Sequence, residues 1–119
     1  MPVYDKHRTH SPRLHRTPQQ RLENDAEDLR LLRRLQEGDE HAFWALWMKH
    51  APRLFGLCLR EMQGNRVDAE DALEEAMLRA HAKLPRFAAT IVAPASWLAR
   101  MTSNVCKDFY RARARGLTT

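Results

Sequence analysis

Asp68-Ala-Glu-Asp-Ala-Leu-Glu-Glu75, continued to Leu84, is the stretch that decides the fold of this chain. Ala69, Ala72, Leu73, Ala76, Met77, Ala80 and Leu84 recur at spacings of three and four, the period of one buried helix face, with Asp68 where a cap is expected. Asp68, Glu70, Asp71, Glu74 and Glu75 fall between those positions and make the outer side acidic. Three of these carboxylates suit a helix N-terminus by charge alone, but Glu74 and Glu75 extend the acidity past the first turn and favour a docking surface for a basic partner.

Toward the C-terminus, Leu84-Pro85 is expected to end this helix, and Arg86 to Pro94 has no helical phase and reads as a loop. Loops of that length in a small domain are often functional. A further helix begins near Ala95 or Ser96, buries Leu98, Met101, Val105 and Phe109, and frays after Arg115-Gly116. Its other side carries Arg100, Asn104, Lys107, Arg111 and Arg115 at spacings of three or four. Two readings fit that face. Cations that neutralise phosphate around an amide that can read a base edge suit nucleic acid, whereas arginines in a last turn also suit the helix dipole.

Toward the N-terminus, Gln63-Gly-Asn-Arg66 supplies turn residues, and the segment before it is a helix capped by Asp39 with Phe43, Trp47, Leu54, Cys58 and Met62 along one stripe and a bend expected at Pro52. Before Gly38 lies a first helix, signalled by Asn24 and Glu27 in a capping-box pattern, with Leu29, Leu32 and Leu35 on its apolar face. Residues 1 to 22 hold Pro2, Pro12 and Pro18 among polar residues, with only Val3, Tyr4, Leu14 and Leu22 to bury, and read as a flexible basic tail. His7, His10 and His15 belong to that solvated tail rather than to a metal site.

The expected fold is thus all-α, a compact four-helix domain over residues 23 to 116 behind a tail of residues 1 to 22. Composition agrees: the 119 residues are 44% hydrophobic with four glycines, enough for one core, and β-branched runs are scarce. The net charge of +5 is polarised. Residues 1 to 22 carry +4 (five Lys or Arg against Asp5) and residues 100 to 115 another +4 (five against Asp108), so the rest carries −3 by difference. A basic end of that kind is an electrostatic footprint for phosphate.

Cys58 and Cys106 are too few and too far apart for a disulfide framework and are read as buried thiols. No apolar run is long enough to span a membrane and no signal peptide is visible, so the cytoplasm is the expected compartment. No Gly-rich phosphate loop, nucleophile elbow or His-Glu-x-x-His is present, and His41, His50 and His81 are scattered. No enzyme, cofactor or metal is expected.

Several strings match one family in order and spacing. Asp28-Leu-Arg-Leu-Leu-Arg-Arg-Leu-Gln-Glu-Gly-Asp39 with Ala42-Phe43, then Asp68-Ala-Glu-Asp71 and Glu75, then Trp97-Leu98, Asn104, Asp108 and Arg111 resemble the core-binding and promoter-melting domain (region 2) of bacterial extracytoplasmic-function (ECF) sigma factors. The resemblance covers residues 25 to 115. It implies that the helix with Asp68, Glu70, Asp71, Glu74 and Glu75 binds the clamp coiled coil of the largest subunit of core RNA polymerase. It further implies that the last helix and the loop before it capture the non-template strand of the promoter −10 element, with one base flipped into a pocket formed by that loop.

On this resemblance Arg86 to Pro94 are expected to form the specificity loop, Asn104 to contact a base, and Arg100, Lys107, Arg111, Arg113 and Arg115 to hold phosphates. Flipping a base costs a few kcal/mol, which phosphate contacts and stacking can offset. Phe87 is read first as packing beneath the loop and second as stacking on a base. Trp47 and Trp97 are expected in the core, and Trp44 has no assignment. The chain departs from the family at Glu74, usually Gln, at Met101-Thr-Ser-Asn104, usually Ile-Ala-Arg-Asn, and at Arg111-Ala112-Arg113, usually paired arginines. These changes bear on promoter sequence more than on polymerase binding.

The family's second helical domain, which reads the −35 element, has no counterpart before Thr119. The expectation is therefore of a separate −35-binding partner, of action on polymerase as an incomplete sigma factor, or of a shortened product. An anti-sigma protein is a further expected regulator. The leading expectation is a transcription-initiation module. Its rivals are a sigma-like adaptor that binds polymerase or an anti-sigma protein without reading a promoter, and a general helical nucleic-acid binder.

Overall fold

The computed structural model describes residues 17–116. Within them the chain forms four α-helices and one 3-10 turn: α1 (Pro18–Gln36), α2 (Glu40–Glu61), α3 (Arg66–Phe87), the turn Ala88–Thr90, and α4 (Pro94–Ala114). No strand occurs among the described residues, so the all-α expectation holds. The tail expected over residues 1 to 22 lies outside the described residues as far as residue 16.

Residues 18 to 22, however, are helical, and α1 starts six residues before Asn24. Thr17 and Gln20 form the capping box: Thr17 Oγ1 accepts from Gln20 N at 3.0 Å and Gln20 Oε1 accepts from Thr17 N at 2.9 Å. Pro18 occupies the first helical position, where its missing N–H costs nothing and its fixed φ is already helical, so the proline taken as part of the tail is a helix starter. The buried stripe of α1 is Asp28, Leu31, Leu32 and Leu35, a strict i, i+3, i+4, i+7 pattern. Asp28 takes the place on that face that Leu29 was expected to fill, and Leu29 is exposed.

Gly38, at φ +92°, turns the chain between α1 and α2, and Asp39 caps α2 by accepting from His41 N at 3.0 Å. Phe43, Trp47, Leu54, Cys58 and Met62 are all buried, as their spacing predicts. The helix runs uninterrupted through Pro52, an exposed residue. The next turn places Gln63 and Gly64 in the left-handed region, after which Asn65, not Asp68, caps α3 by accepting from the Asp68 N–H at 3.0 Å. Asp68 lies in the first turn instead.

Ala69, Ala72, Ala76 and Ala80 are fully buried, so α3 offers a flat seam on which larger side chains close. Phe43, Leu46 and Leu54 of α2 and Leu98 and Val105 of α4 supply that volume. Cys58 and Cys106 lie in the same core; burial, with the neighbouring Cys106 adding to it, pushes the Cys58 thiol up to about 12. Among the described residues no helix is long and apolar enough to cross a membrane.

Candidate functional site

The segment between α3 and α4 is shorter and more ordered than a loop from Arg86 to Pro94. α3 continues through Pro85 to Phe87, because Leu84 and Ala88, four residues apart, are both buried and hold the helical phase across the proline. A proline here forfeits one backbone bond near a helix end. Thr90 Oγ1 then donates to Phe87 O at 2.9 Å, Ile91 anchors the segment in the core, and Val92 projects into solvent.

This corner and the first turns of α4 enclose two clefts. One of about 290 Å³ is lined by Phe87, Thr90, Ile91, Val92, Ala93, Ser96, Trp97 and Arg100. The other, about 250 Å³, is lined by Lys83, Phe87, Trp97, Arg100, Met101 and Asn104. Phe87, Trp97 and Arg100 form a wall common to both. Phe87 is 41% exposed rather than packed beneath a loop, and Trp97 is half-buried with its accessible part in the clefts. The Arg86 guanidinium lies 5.5 Å from the centre of the Phe87 ring, a cation–π distance. Asn104 is exposed and reaches the second cleft. Lys83 was missed by sequence reasoning, although its position one helical turn before Phe87 places both on the same side of α3.

The remaining basic residues divide. Lys107 and Arg115 are exposed and continue the face begun by Arg100 and Asn104. Arg111 is bonded to Asp108, and Arg113 to Asp68. Asp108 also accepts from Arg79 of α3 at 2.9 Å, and Arg79 binds Glu75 at 3.0 Å. The bond from Arg79, with that from Arg111, holds the Asp108 carboxyl below the usual carboxylate range. The Arg79–Asp108 and Arg113–Asp68 pairs brace α3 against α4, with Glu75 and Arg111 bound to the first of them, so the acidic and basic surfaces partly neutralise each other.

On the acidic side Glu70 pairs loosely with Arg66 at 3.4 Å, and Asp68 and Glu75 are engaged in the brace. Asp71 and Glu74 are exposed and have no ion-pair partner among the described residues. The acidic surface open to a partner therefore centres on that pair. Among the described residues no group of three or more His, Cys, Asp or Glu side chains could hold a metal ion.

Trp44, the tryptophan without an assignment, is 39% exposed beside Phe43 and His81, and Trp47 is buried as expected. His81 Nε2 lies 2.7 Å from Glu40 Oε2 and ties α3 to the start of α2.

The family described as sigma-70 region 2 matches residues 46–116. The RNA polymerase sigma-H factor of Pseudomonas aeruginosa is 33% identical over 89 residues, 75% of this chain and 45% of that protein. The ECF RNA polymerase sigma factor SigM of Mycobacterium tuberculosis is 36% identical over 88 residues, 74% of this chain and 44% of that protein. The chain thus spans less than half the length of these relatives. No solved structure matches it.

Proposed function

The chain belongs to the sigma-70 region 2 family, a family of transcription-initiation factors rather than enzymes, and from that premise we propose that it binds core RNA polymerase and the melted −10 element of a promoter. The observation that carries this reading is the pair of adjacent clefts with a common aromatic and cationic wall. Phe87 and Trp97 offer faces to an unstacked base, Arg100 offers charge to the phosphate beside it, and Asn104 offers both a donor and an acceptor to a base edge. Lys107 and Arg115 extend the cationic track along α4. Arg111 and Arg113 serve the brace first and reach a phosphate only by exchanging partners.

Asp71 and Glu74 are the centre of the polymerase dock, with Asp68, Glu70 and Glu75 around them. The clamp coiled coil of the largest subunit is the partner surface that the family relationship favours. Both roles place the chain in the cytoplasm. An anti-sigma protein remains part of the proposal only as a regulator of this domain.

A second reading, the polymerase-binding adaptor, draws on the brace itself, which removes Arg111 and Arg113 from the free cationic surface. Run-off transcription with core polymerase on a template premelted at the −10 element separates the two. Stimulation by the purified chain is the expected result; polymerase binding without stimulation supports the adaptor.

A further inference from the structure

A groove of about 440 Å³ lies on the flank of α4 away from the two clefts, between that helix and α2. Arg53, Gly56, Leu57 and Arg60 line it at helical spacing, with Pro52 beside them and Ala99 facing them from α4. A side chain added at Gly56 would meet nothing within 4 Å, so the floor is open. No carboxylate lines the groove. Among the described residues neither Arg53 nor Arg60 has an ion-pair partner. Arg60 sits in the last turn of α2, where the helix dipole favours a cation, but Arg53 is in mid-helix and has no such reason to be there.

The groove reaches α4 at Ala99. Ala99 immediately precedes Arg100, so groove and clefts flank the same turn. Near the other end Tyr110 Oη donates to the backbone carbonyl of Glu61. The two helices therefore run side by side in one direction, with Arg53 beside Ala95 and Ala99 of α4 and Arg60 toward the end that Tyr110 marks. No aromatic residue lines the groove to stack a base, in contrast to the clefts. A floor of Leu54, Gly56, Leu57 and Ala99 under two unpaired guanidinium groups leaves room for a sugar-phosphate backbone over Gly56.

We propose that single-stranded DNA crosses α4 onto α2, where Arg53 and Arg60 hold phosphates of nucleotides adjoining those in the clefts. This rests on the DNA-binding reading above. An acidic polypeptide is the competing occupant.

The test measures binding of a fluorescein-labelled single-stranded −10 oligonucleotide to the full chain by anisotropy across a salt series. Each phosphate contact on a single strand contributes about 0.7 to the slope of log K against log salt. The doubly substituted Arg53→Ala/Arg60→Ala chain is expected to lose about 1.4 of that slope, equally for unrelated sequences, and Arg53→Lys/Arg60→Lys to restore it. Gly56→Leu, which fills the floor in a helix-compatible way, is expected to weaken binding.

An unchanged slope in the Arg53/Arg60 variant, where Arg100→Ala/Lys107→Ala lowers it, overturns this inference and leaves the function above standing. Absence of DNA binding by the unsubstituted chain overturns both. A labelled polyglutamate peptide is titrated in parallel: if the Arg53/Arg60 variant loses only that probe, the groove is a protein-docking site and the inference fails.

Discussion

Asp28 is a carboxylate in a position that the pattern of α1 assigns to the core, and only 1% of its surface is accessible. His50 Nε2 and Lys49 Nζ each lie 2.8 Å from one of its oxygens, and Lys49 also binds Glu27 Oε1 at 2.7 Å and Asn24 O at 3.2 Å. Burial alone raises the acid's pKa, but the bonds from His50 and Lys49 outweigh it and hold the carboxyl below its usual range. A depressed native pKa means that the stabilisation is present above the ordinary carboxylate range and is lost as pH falls through the native value. Asp28→Asn should therefore cost about 3 kcal/mol at neutral pH, the loss typical of breaking a buried pair, and the gap from the unsubstituted chain should narrow under strong acid. Urea unfolding at the two pH values measures this; a gap independent of pH would contradict it.

At the scale of elements, the α3–α4 brace passes through Arg79, which is one-third exposed and holds one carboxylate on each helix. Arg79→Ala should lower stability by about 1 kcal/mol, the upper range for partly exposed pairs, as read by chemical denaturation. The same substitution should let the Asp108 pKa rise, which NMR titration follows. Much of this level was legible in the residues themselves. The apolar periods of α2, α3 and α4 announce their helices because a 3.6-residue repeat depends on no neighbour. What was not legible depends on partners. Pro18 and Pro85 read as a tail residue and a stop signal, because neither the Thr17–Gln20 box nor the joint burial of Leu84 and Ala88 follows from the proline alone. The pairing of Arg113 with Asp68, and the reach of Lys83 into a cleft with Asn104, exist only once α3 and α4 are packed.

Over the whole molecule, the acidic positions left open, Asp71 and Glu74, lie on the N-terminal half of α3, and the clefts lie at its C-terminal end. The two proposed partner surfaces should therefore be separable. Asp71→Lys/Glu74→Lys should abolish pull-down of core polymerase with little change in thermal midpoint and leave single-strand binding intact or slightly strengthened, because negative charge has been removed. A loss of DNA binding in parallel would mean that the two surfaces do not act independently.

That α3 remains one helix through Pro85 makes it a ruler. At about 1.5 Å per residue, the stretch from Asp71 to Phe87 sets about 24 Å between the proposed polymerase contact and the wall of the clefts. One residue inserted midway would lengthen that span only slightly but rotate one end against the other by about 100°. Polymerase would then present the promoter strand to the wrong side of the domain, even if each end kept its own partner.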